Sequence, residues 1–374
     1  MDIDLAVASG LRVVCKRDEL AARVAVVSRA VSTRGAVQVL AGVLLRANVG
    51  TVELAATDME VSLRATLAAD VEGNGAVVIP GKLLLELVPL LPDEEVVIEY
   101  KPAEGITTIA SGSYASRLNI YSAEDFPQLP RVDVQLHEVE RSSLLGTVDR
   151  VSRSASRDES RPVLTGILVR FEADKLVMAA TDSYRLSVKE TQLAEPGPEL
   201  EAIIPARALT ELTRIAATAD TVRLGVHENH VVFGAGGVWL TTRRIDGQFP
   251  NYKQLLPESF EIELELPRGE FLDVVRRAAV MAQRNAPLRL RFADGELTVS
   301  AQSQDVGETT ESLPAAYTGE PLEIGFNADF LREGLESVST DEVQLKLINP
   351  LRPGLITASG DAFWYLIMPI RLAG

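Results

Sequence analysis

The chain has 374 residues, 46% of them hydrophobic, with 37 Lys and Arg against 53 Asp and Glu for a formal net charge of −16. That length predicts about two to four domains with enough apolar content to fill their cores, and the acid excess argues against a surface coated in basic residues for nucleic acid. No apolar run reaches the roughly 18 residues of a membrane helix, the N-terminus lacks the basic and apolar regions of a signal peptide, and the single Cys15 excludes an internal disulfide, so the chain is expected in the cytosol.

Hydrophobic periodicity predicts a first strand at 11–15 and a helix at 18–31, then alternating strands such as 51–55 and a second helix after Pro80. The same order restarts with a strand near Glu138, a helix at 142–155 and a helix after Pro205. Alternating runs follow at 221–226, 230–233 and 238–242. Turn residues Glu228-Asn229 and Gly234-Ala-Gly-Gly237 separate these runs. A third round opens with a strand at 262–266 and a helix at 269–283, continues with a helix after Asn327 and includes a strand at 343–347. Ser, Pro and Gly precede the second and third of the opening helices, as helix N-termini prefer.

The restarts are a repeat. Gly42-Val-Leu-Leu-Arg46 and Ala55-Ala-Thr-Asp58 return as Gly166-Ile-Leu-Val-Arg170 and Ala179-Ala-Thr-Asp182, and more faintly as Leu288-Arg-Leu-Arg-Phe292 and Val299-Ser-Ala301. Ile79-Pro80 matches Ile204-Pro205, and Phe126-Pro127 matches Phe249-Pro250. A period of about 124 residues is domain-sized, so each copy buries its own core. Two helices against many antiparallel strands make each copy α+β, with one layer of each. Proline-containing segments place the boundaries at 1–130, 131–258 and 259–374.

The opening helix segments of all three copies carry a positive balance against the acidic remainder, from residues such as Arg23, Arg29, Arg150, Arg153, Arg276 and Arg277. Arg150, Arg153 and Arg157 have the spacing of one helix face. A solvated basic face is the ordinary reading of any one such helix. Recurrence in three copies related by rotation would turn the helices toward a common centre able to hold a polyanion.

Catalytic chemistry has little material. His227 and His230 have metal-pair spacing but span a hairpin turn with no third ligand, so no metal or cofactor is expected. Gly234 to Gly237 lacks the helix and Lys-Ser/Thr of a phosphate loop. The repeated Thr57-Asp58 and Thr181-Asp182 sit at strand ends, where a carboxylate more often ties down a turn than works as acid or base. Without more, tandem α+β domains would also suit an enzyme or a protein-binding scaffold with no nucleic-acid partner.

Four segments carry a resemblance over the whole chain: Thr181-Asp-Ser-Tyr-Arg-Leu186, Asp246-Gly-Gln-Phe-Pro-Asn-Tyr252, Gly325-Phe-Asn327 and Tyr365-Leu-Ile-Met-Pro-Ile-Arg-Leu372. In these the chain resembles the bacterial DNA polymerase III beta-subunit family, the sliding clamps of replication. The resemblance implies three tandem clamp domains, each with two helices packed on antiparallel sheets, forming half of a six-domain ring. It implies a head-to-tail homodimer that encircles duplex DNA without sequence preference. The implied role is non-catalytic, tethering the polymerase III alpha subunit, the clamp loader and other proteins that carry a clamp-binding motif, with no membrane partner.

The resemblance also implies sites. Arg34 and Lys82 match family DNA contacts, and Arg153, Arg157 and Arg161 supply charge near a further patch, where Arg161-Pro162-Val163 stands in place of family aromatics. A partner-peptide cleft between domains two and three is implied for Leu164, Thr181, Tyr184, Arg185, Leu186, Pro250, Leu255, Asn327, Leu366, Met368, Pro369, Ile370, Arg371 and Leu372. Its apolar members suit the anchors of a short extended peptide, while Tyr184, Arg185, Asn327 and Arg371 are suited to orienting a backbone. Ser183-Tyr184 replaces a Gly-His of some relatives, Gln254 stands where an Arg occurs, and Ala286-Pro287 replaces an aromatic.

Overall fold

A computed structural model describes residues 10–32, 37–130, 133–282, 286–303 and 307–372. The first copy runs β1 (Leu11–Lys16), α1 (Arg17–Val27), β2 (Gly42–Asn48), β3 (Thr51–Thr57), β4 (Val61–Ala68), β5 (Asp70–Gly73), β6 (Ala76–Pro80), α2 (Gly81–Leu87), β7 (Glu95–Lys101), β8 (Ile106–Ser111) and β9 (Tyr114–Asn119). The second runs β10 (Leu136–Glu140), α3 (Arg141–Val151), α4 (Pro162–Thr165), β11 (Gly166–Glu172), β12 (Lys175–Thr181), β13 (Arg185–Gln192), β14 (Glu201–Pro205), α5 (Ala206–Ile215), β15 (Thr221–His227), β16 (His230–Ala235) and β17 (Val238–Arg243). The third runs β18 (Ile262–Pro267), α6 (Arg268–Met281), β19 (Leu288–Ala293), β20 (Glu296–Ser303), β21 (Gly307–Pro314), β22 (Leu322–Phe326), α7 (Ala328–Glu336), β23 (Glu342–Leu347), β24 (Gly354–Ala358) and β25 (Asp361–Ile367).

The strands of each copy divide between two half-sheets, where periodicity had predicted one sheet layer per copy. In the third copy β21-β20-β19-β22 stands as a four-stranded sheet, and β25-β24-β23-β18 forms half of an eight-stranded one. The two amphipathic helices fill the space between the halves. Phe271, Leu272 and Val275 of α6 and Leu331 and Leu335 of α7 are buried among Phe292, Phe326, Phe363 and Tyr365 from both half-sheets. Each such side chain stabilises the fold by roughly 1.5 to 3 kcal/mol on burial.

The half-sheets fuse across copies. β17 of the second copy pairs antiparallel with β4 of the first, and β25 of the third pairs with β13 of the second. The chain accordingly divides into two compact units that cut through the middle copy, 1–138 with 211–243, and 139–210 with 244–374. The first unit holds a sheet ordered β5-β1-β7-β8-β9 and another running β10-β15-β16-β17-β4-β3-β2-β6; the second holds β14-β11-β12-β13-β25-β24-β23-β18 and the four-stranded sheet.

The opening helices are shorter than the spacing predicts. α1 and α3 pass into single 3-10 turns at Ser28–Ala30 and Ser152–Ser154, so Arg157 lies in the following loop and does not share a helix face with Arg150 and Arg153. Pro267 stands ahead of α6 as the sequence predicts, whereas Ser142 and Ser143 lie inside α3 and not before it. Lys16, Glu140 and Pro267 occupy the N-cap positions with no side-chain cap bond, and Ser142 and Ser143 donate instead to the Glu140 carboxylate. The hairpin turns follow the sequence, with Glu228, Gly236 and Gly237 at positive φ of 45°, 57° and 76°. No helix of the described residues is long and apolar enough to cross a membrane.

Candidate functional site

The repeated Thr-Asp pair builds the same turn twice. Thr57 Oγ1 donates to the Val61 carbonyl at 3.1 Å and accepts from Met59 N–H at 3.0 Å, while Asp58 Oδ1 accepts from Glu60 and Val61 N–H at 3.1 and 2.9 Å. In the second copy Thr181 Oγ1 donates to the Arg185 carbonyl at 2.6 Å and accepts from Ser183 N–H at 3.1 Å. Asp182 Oδ1 accepts from Tyr184 and Arg185 N–H at 2.9 and 3.0 Å. Both carboxylates hold a turn, with Met59 and Ser183 forced to φ of 77° and 81°. The turn fixes where Tyr184 leaves the sheet, and Tyr184 is 62% exposed.

Beside it runs the end of the chain. In the β13–β25 register Arg185 faces Ile367 and Leu186 faces Leu366. Beyond β25, Met368 N–H donates to the Tyr184 carbonyl and Ile370 N–H to the Gly325 carbonyl, both at 2.8 Å. The second contact requires glycine, because a Cβ on residue 325 would lie 2.9 Å from the Ile370 carbonyl oxygen and 2.6 Å from a Leu372 methyl. Strand alternation then sorts the side chains. Phe363, Tyr365 and Ile367 enter the helix-covered core. Leu366 turns to the opposite face and joins Leu186, Val188, Leu168, Leu355 and Tyr252, with Phe249 and Leu256 packed alongside.

A floor and a rim result. Leu186 and Leu366 are buried, whereas Leu255 and Met368 are 50% and 42% exposed. Pro250 and Arg371 are exposed; Leu164, Pro369, Ile370 and Leu372 are half-buried. Thr181 is buried in its turn, and Asn327 caps α7 by accepting from Phe330 N–H at 3.0 Å. The side chain of Val163 lies against Gly247, where a Cβ would come within 2.7 Å of it.

Arg185 is spoken for. Its Nε donates to Asp182 at 3.1 Å, one terminal nitrogen donates to Glu333 and lies 3.4 Å from the Tyr365 hydroxyl, and the other donates to the Arg153 carbonyl. The guanidinium carbon stands 4.3 Å over the Phe330 ring. Burial lowers its proton affinity, but Tyr365 and Glu333 outweigh that and the group is held cationic, above the ordinary arginine range. Burial likewise pushes the Tyr365 phenol up against the opposing pull of Arg185, so the hydroxyl stays a donor, to the Phe330 carbonyl at 2.7 Å. Arg157, Arg161, Tyr184, Phe330 and Arg332 line a polar cavity of about 530 Å³ next to this guanidinium.

The basic residues fall into two groups. Arg153 pairs with Glu336, which also receives Arg276 at 2.9 Å; Arg150 and Lys189 pair with Asp361 at 2.5 and 2.6 Å. Arg161 holds Asp158 at 2.9 Å and donates to Ser183 at 3.1 Å. Lys82, by contrast, is exposed and 3.9 Å from Glu86, and Arg157 is exposed. Arg34 lies outside the described residues. His227 and His230 face each other across their hairpin, and no group of three or more potential metal ligands occurs among the described residues. The ion-pair partners Glu333, Glu336 and Asp361 gave no signal in the sequence, since they lie 148, 183 and 211 positions from Arg185, Arg153 and Arg150.

Comparison with known proteins agrees with this architecture copy by copy. Models of the N-terminal, central and C-terminal domains of the DNA polymerase III beta subunit match residues 11–130, 138–251 and 253–371. The beta sliding clamp of Synechococcus elongatus is 36% identical, over 97% of this chain and 100% of its own; that of Streptomyces coelicolor is 32% identical over the same shares. Among solved structures, the sliding clamp of Bacillus subtilis superposes with a TM-score of 0.92 at 27% identity, covering 98% of this chain and 100% of that one. A Bartonella birtlesii clamp bound to griselimycin gives 0.90 at 28% identity, covering 97% and 100%. The three-domain α+β chain, with its Thr-Asp turns and paired C-terminal strand, therefore belongs to the bacterial DNA polymerase III beta-subunit family, the beta sliding clamps.

Proposed function

We propose that the protein is a non-catalytic processivity factor: two chains close head to tail into a ring around duplex DNA, and the apolar cleft beside Met368 tethers the replicative polymerase, the clamp loader and other partners by short peptides. The observation that carries this is the order of the sheet joints. β17 of copy two pairs with β4 of copy one, and β25 of copy three pairs with β13 of copy two. The next members of the two series are β9 in copy one and β21 in copy three, and both are edge strands among the described residues. Pairing β9 of one chain with β21 of a second continues the series and removes two open edges, which a sheet protein otherwise has to protect. Domains at 1–130, 131–258 and 259–374 are the units of that series.

Charge supports the same reading. A chain of net charge −16 is a poor candidate for tight phosphate binding, but a closed ring is retained by topology and needs only weak, sequence-blind contacts. Exposed Lys82 and Arg157 are suited to such contacts, while Arg150 and Arg153 serve ion pairs. Arg34 is proposed with them from its place in the sequence, and the cytoplasm is the compartment such a factor works in. The test is retention. Loaded by a clamp loader, the protein is expected to stay on nicked circular DNA and to leave within seconds of linearisation; equal retention on both forms defeats the proposal.

A further inference from the structure

Arg185 sits in the wall of the proposed cleft, yet each of its three guanidinium nitrogens already donates to the protein itself. We infer that Arg185 is a positioning residue, not a peptide contact, and that its bridge to Glu333 sets the spacing between Tyr184 and Met368 on which partner binding depends. The inference rests on the cleft reading above, and its structural half is measurable without it.

Arg185 faces Ile367 across the β13–β25 joint, one residue from Tyr184, whose carbonyl holds Met368 N–H. Its side chain leaves on the same face as Ile367, toward the helices, and meets Asp182 of its own turn, Glu333 of α7, the Arg153 carbonyl within the 3-10 turn after α3, and the Phe330 ring. Glu333 and Phe330 belong to the helix that Asn327 caps, and Asn327 lies two residues from Gly325, which grips Ile370. One buried cation therefore joins the start of β13, next to Tyr184, to the helix that directly follows β22, whose Gly325 anchors the chain after Met368. Tyr365 closes the loop from below: its hydroxyl donates to the Phe330 carbonyl and its ring lies so close to Gly334 that a Cβ there would come within 2.5 Å.

A buried hydrogen-bonded network of this kind fixes one arrangement of the groups around it, and a cleft held in its binding geometry loses less entropy when a peptide docks. Lysine at 185 keeps the charge but has no planar fork with which to hold two carboxylates and a carbonyl together. Glutamine at 333 keeps the shape and removes the charge. Neither change touches the apolar floor.

The test measures Arg185→Lys, Glu333→Gln and the double variant in the full-length protein. Binding is read with a fluorescent peptide bearing two or three apolar anchors, and hydrogen exchange is read at the Met368 amide without peptide. Each single change is expected to lower peptide affinity by about 10-fold, and the double variant by no more than the weaker single variant, because both break one bridge. Met368 amide exchange is expected to accelerate by a similar factor while amides of the β1–β7 pair in the other compact unit keep their wild-type rates. If Glu333→Gln leaves affinity and exchange at wild-type levels while Arg185→Lys lowers affinity, Arg185 contacts the peptide directly and the inference is wrong; additive losses also overturn it. If the wild-type protein binds no such peptide, the cleft reading fails, and unchanged exchange in both variants would separately dispose of the bridge.

Discussion

At the scale of single residues, the proposed cleft separates side chains that build it from side chains left over for a partner. Thr181, Arg185 and Asn327 spend their polar atoms on a turn, an ion-pair hub and a helix cap. Met368 does the reverse: its backbone N–H is held by Tyr184, and its side chain remains 42% exposed. An unbranched, polarizable thioether on a fixed backbone adapts to several anchors. Met368→Ala is therefore expected to weaken binding of an anchor-bearing peptide by about 10-fold, the worth of the apolar area it would cover. Fold stability should stay within about 0.5 kcal/mol, since the site is on the surface. Anisotropy titration and a denaturation curve check both, and unchanged peptide affinity removes Met368 from the cleft. The strand alternation that puts Leu366 on one face and Tyr365 on the other is readable from the sequence. The commitment of Arg185 is not, because Glu333 is 148 positions away and nothing local distinguishes a captured arginine from a free one.

At the scale of elements, hairpins and helices were legible because their signals are local: Gly236-Gly237 in a two-residue turn, Pro80 and Pro205 ahead of second helices, alternating Val and Leu between. The early ends of α1 and α3 and the fusion of half-sheets were not, since both depend on what neighbouring copies pack against. The joint between α3 and the β24–β25 hairpin shows the consequence. Arg150, Lys189 and Asp361 meet there with side chains only 15%, 16% and 11% exposed. Burial by itself would raise the Asp361 pKa, but hydrogen bonds from Lys189 and Arg150 outweigh it and hold the carboxyl below the ordinary aspartate range. A carboxyl with a lower pKa folded than unfolded stabilises the fold fully above the ordinary aspartate pKa and loses that contribution as pH falls through the folded value. Asp361→Asn strands two buried cations and is expected to cost about 3 kcal/mol at neutral pH. The gap between variant and wild type should close below the ordinary aspartate range. Urea midpoints at pH 7, 5 and 3 decide the matter; a gap that persists or widens in acid contradicts the assignment.

At the scale of the whole molecule, the repeat makes a register prediction that the sequence alone could not reach, because it needs to know which strands join. Across the β4–β17 joint Leu63 faces Leu240. Stepping back one period of 124 from Leu240 reaches Ser116, and the two hairpins agree, with Phe233 facing Leu240 and Ile109 facing Ser116. On the other side, Leu63 faces Ala56, Ser187 faces Ala180 and Thr309 faces Ala301, equivalent alanines of the three copies. Ser116 of one chain should thus lie opposite Thr309 of the other, with Arg117 beside Glu308 as a matched charge pair. Directly opposed residues of antiparallel strands are about 4.5 to 5.5 Å apart at Cα, within the span of a disulfide. The native thiol will not interfere, since burial, with Glu19 adding to it, pushes Cys15 up to about 12 and leaves it protonated and inert. The double variant Ser116→Cys, Thr309→Cys is expected to oxidise to a covalent dimer visible on a non-reducing gel, with each single variant staying monomeric on that gel. Once loaded on a nicked circle, the oxidised form should resist a clamp loader's attempt to remove it until reductant is added. Cross-linking no faster than in a control that pairs Ser116→Cys with Glu296→Cys, at the far end of the adjoining strand β20, would show that β9 and β21 do not meet, and the closed ring would have to be built another way.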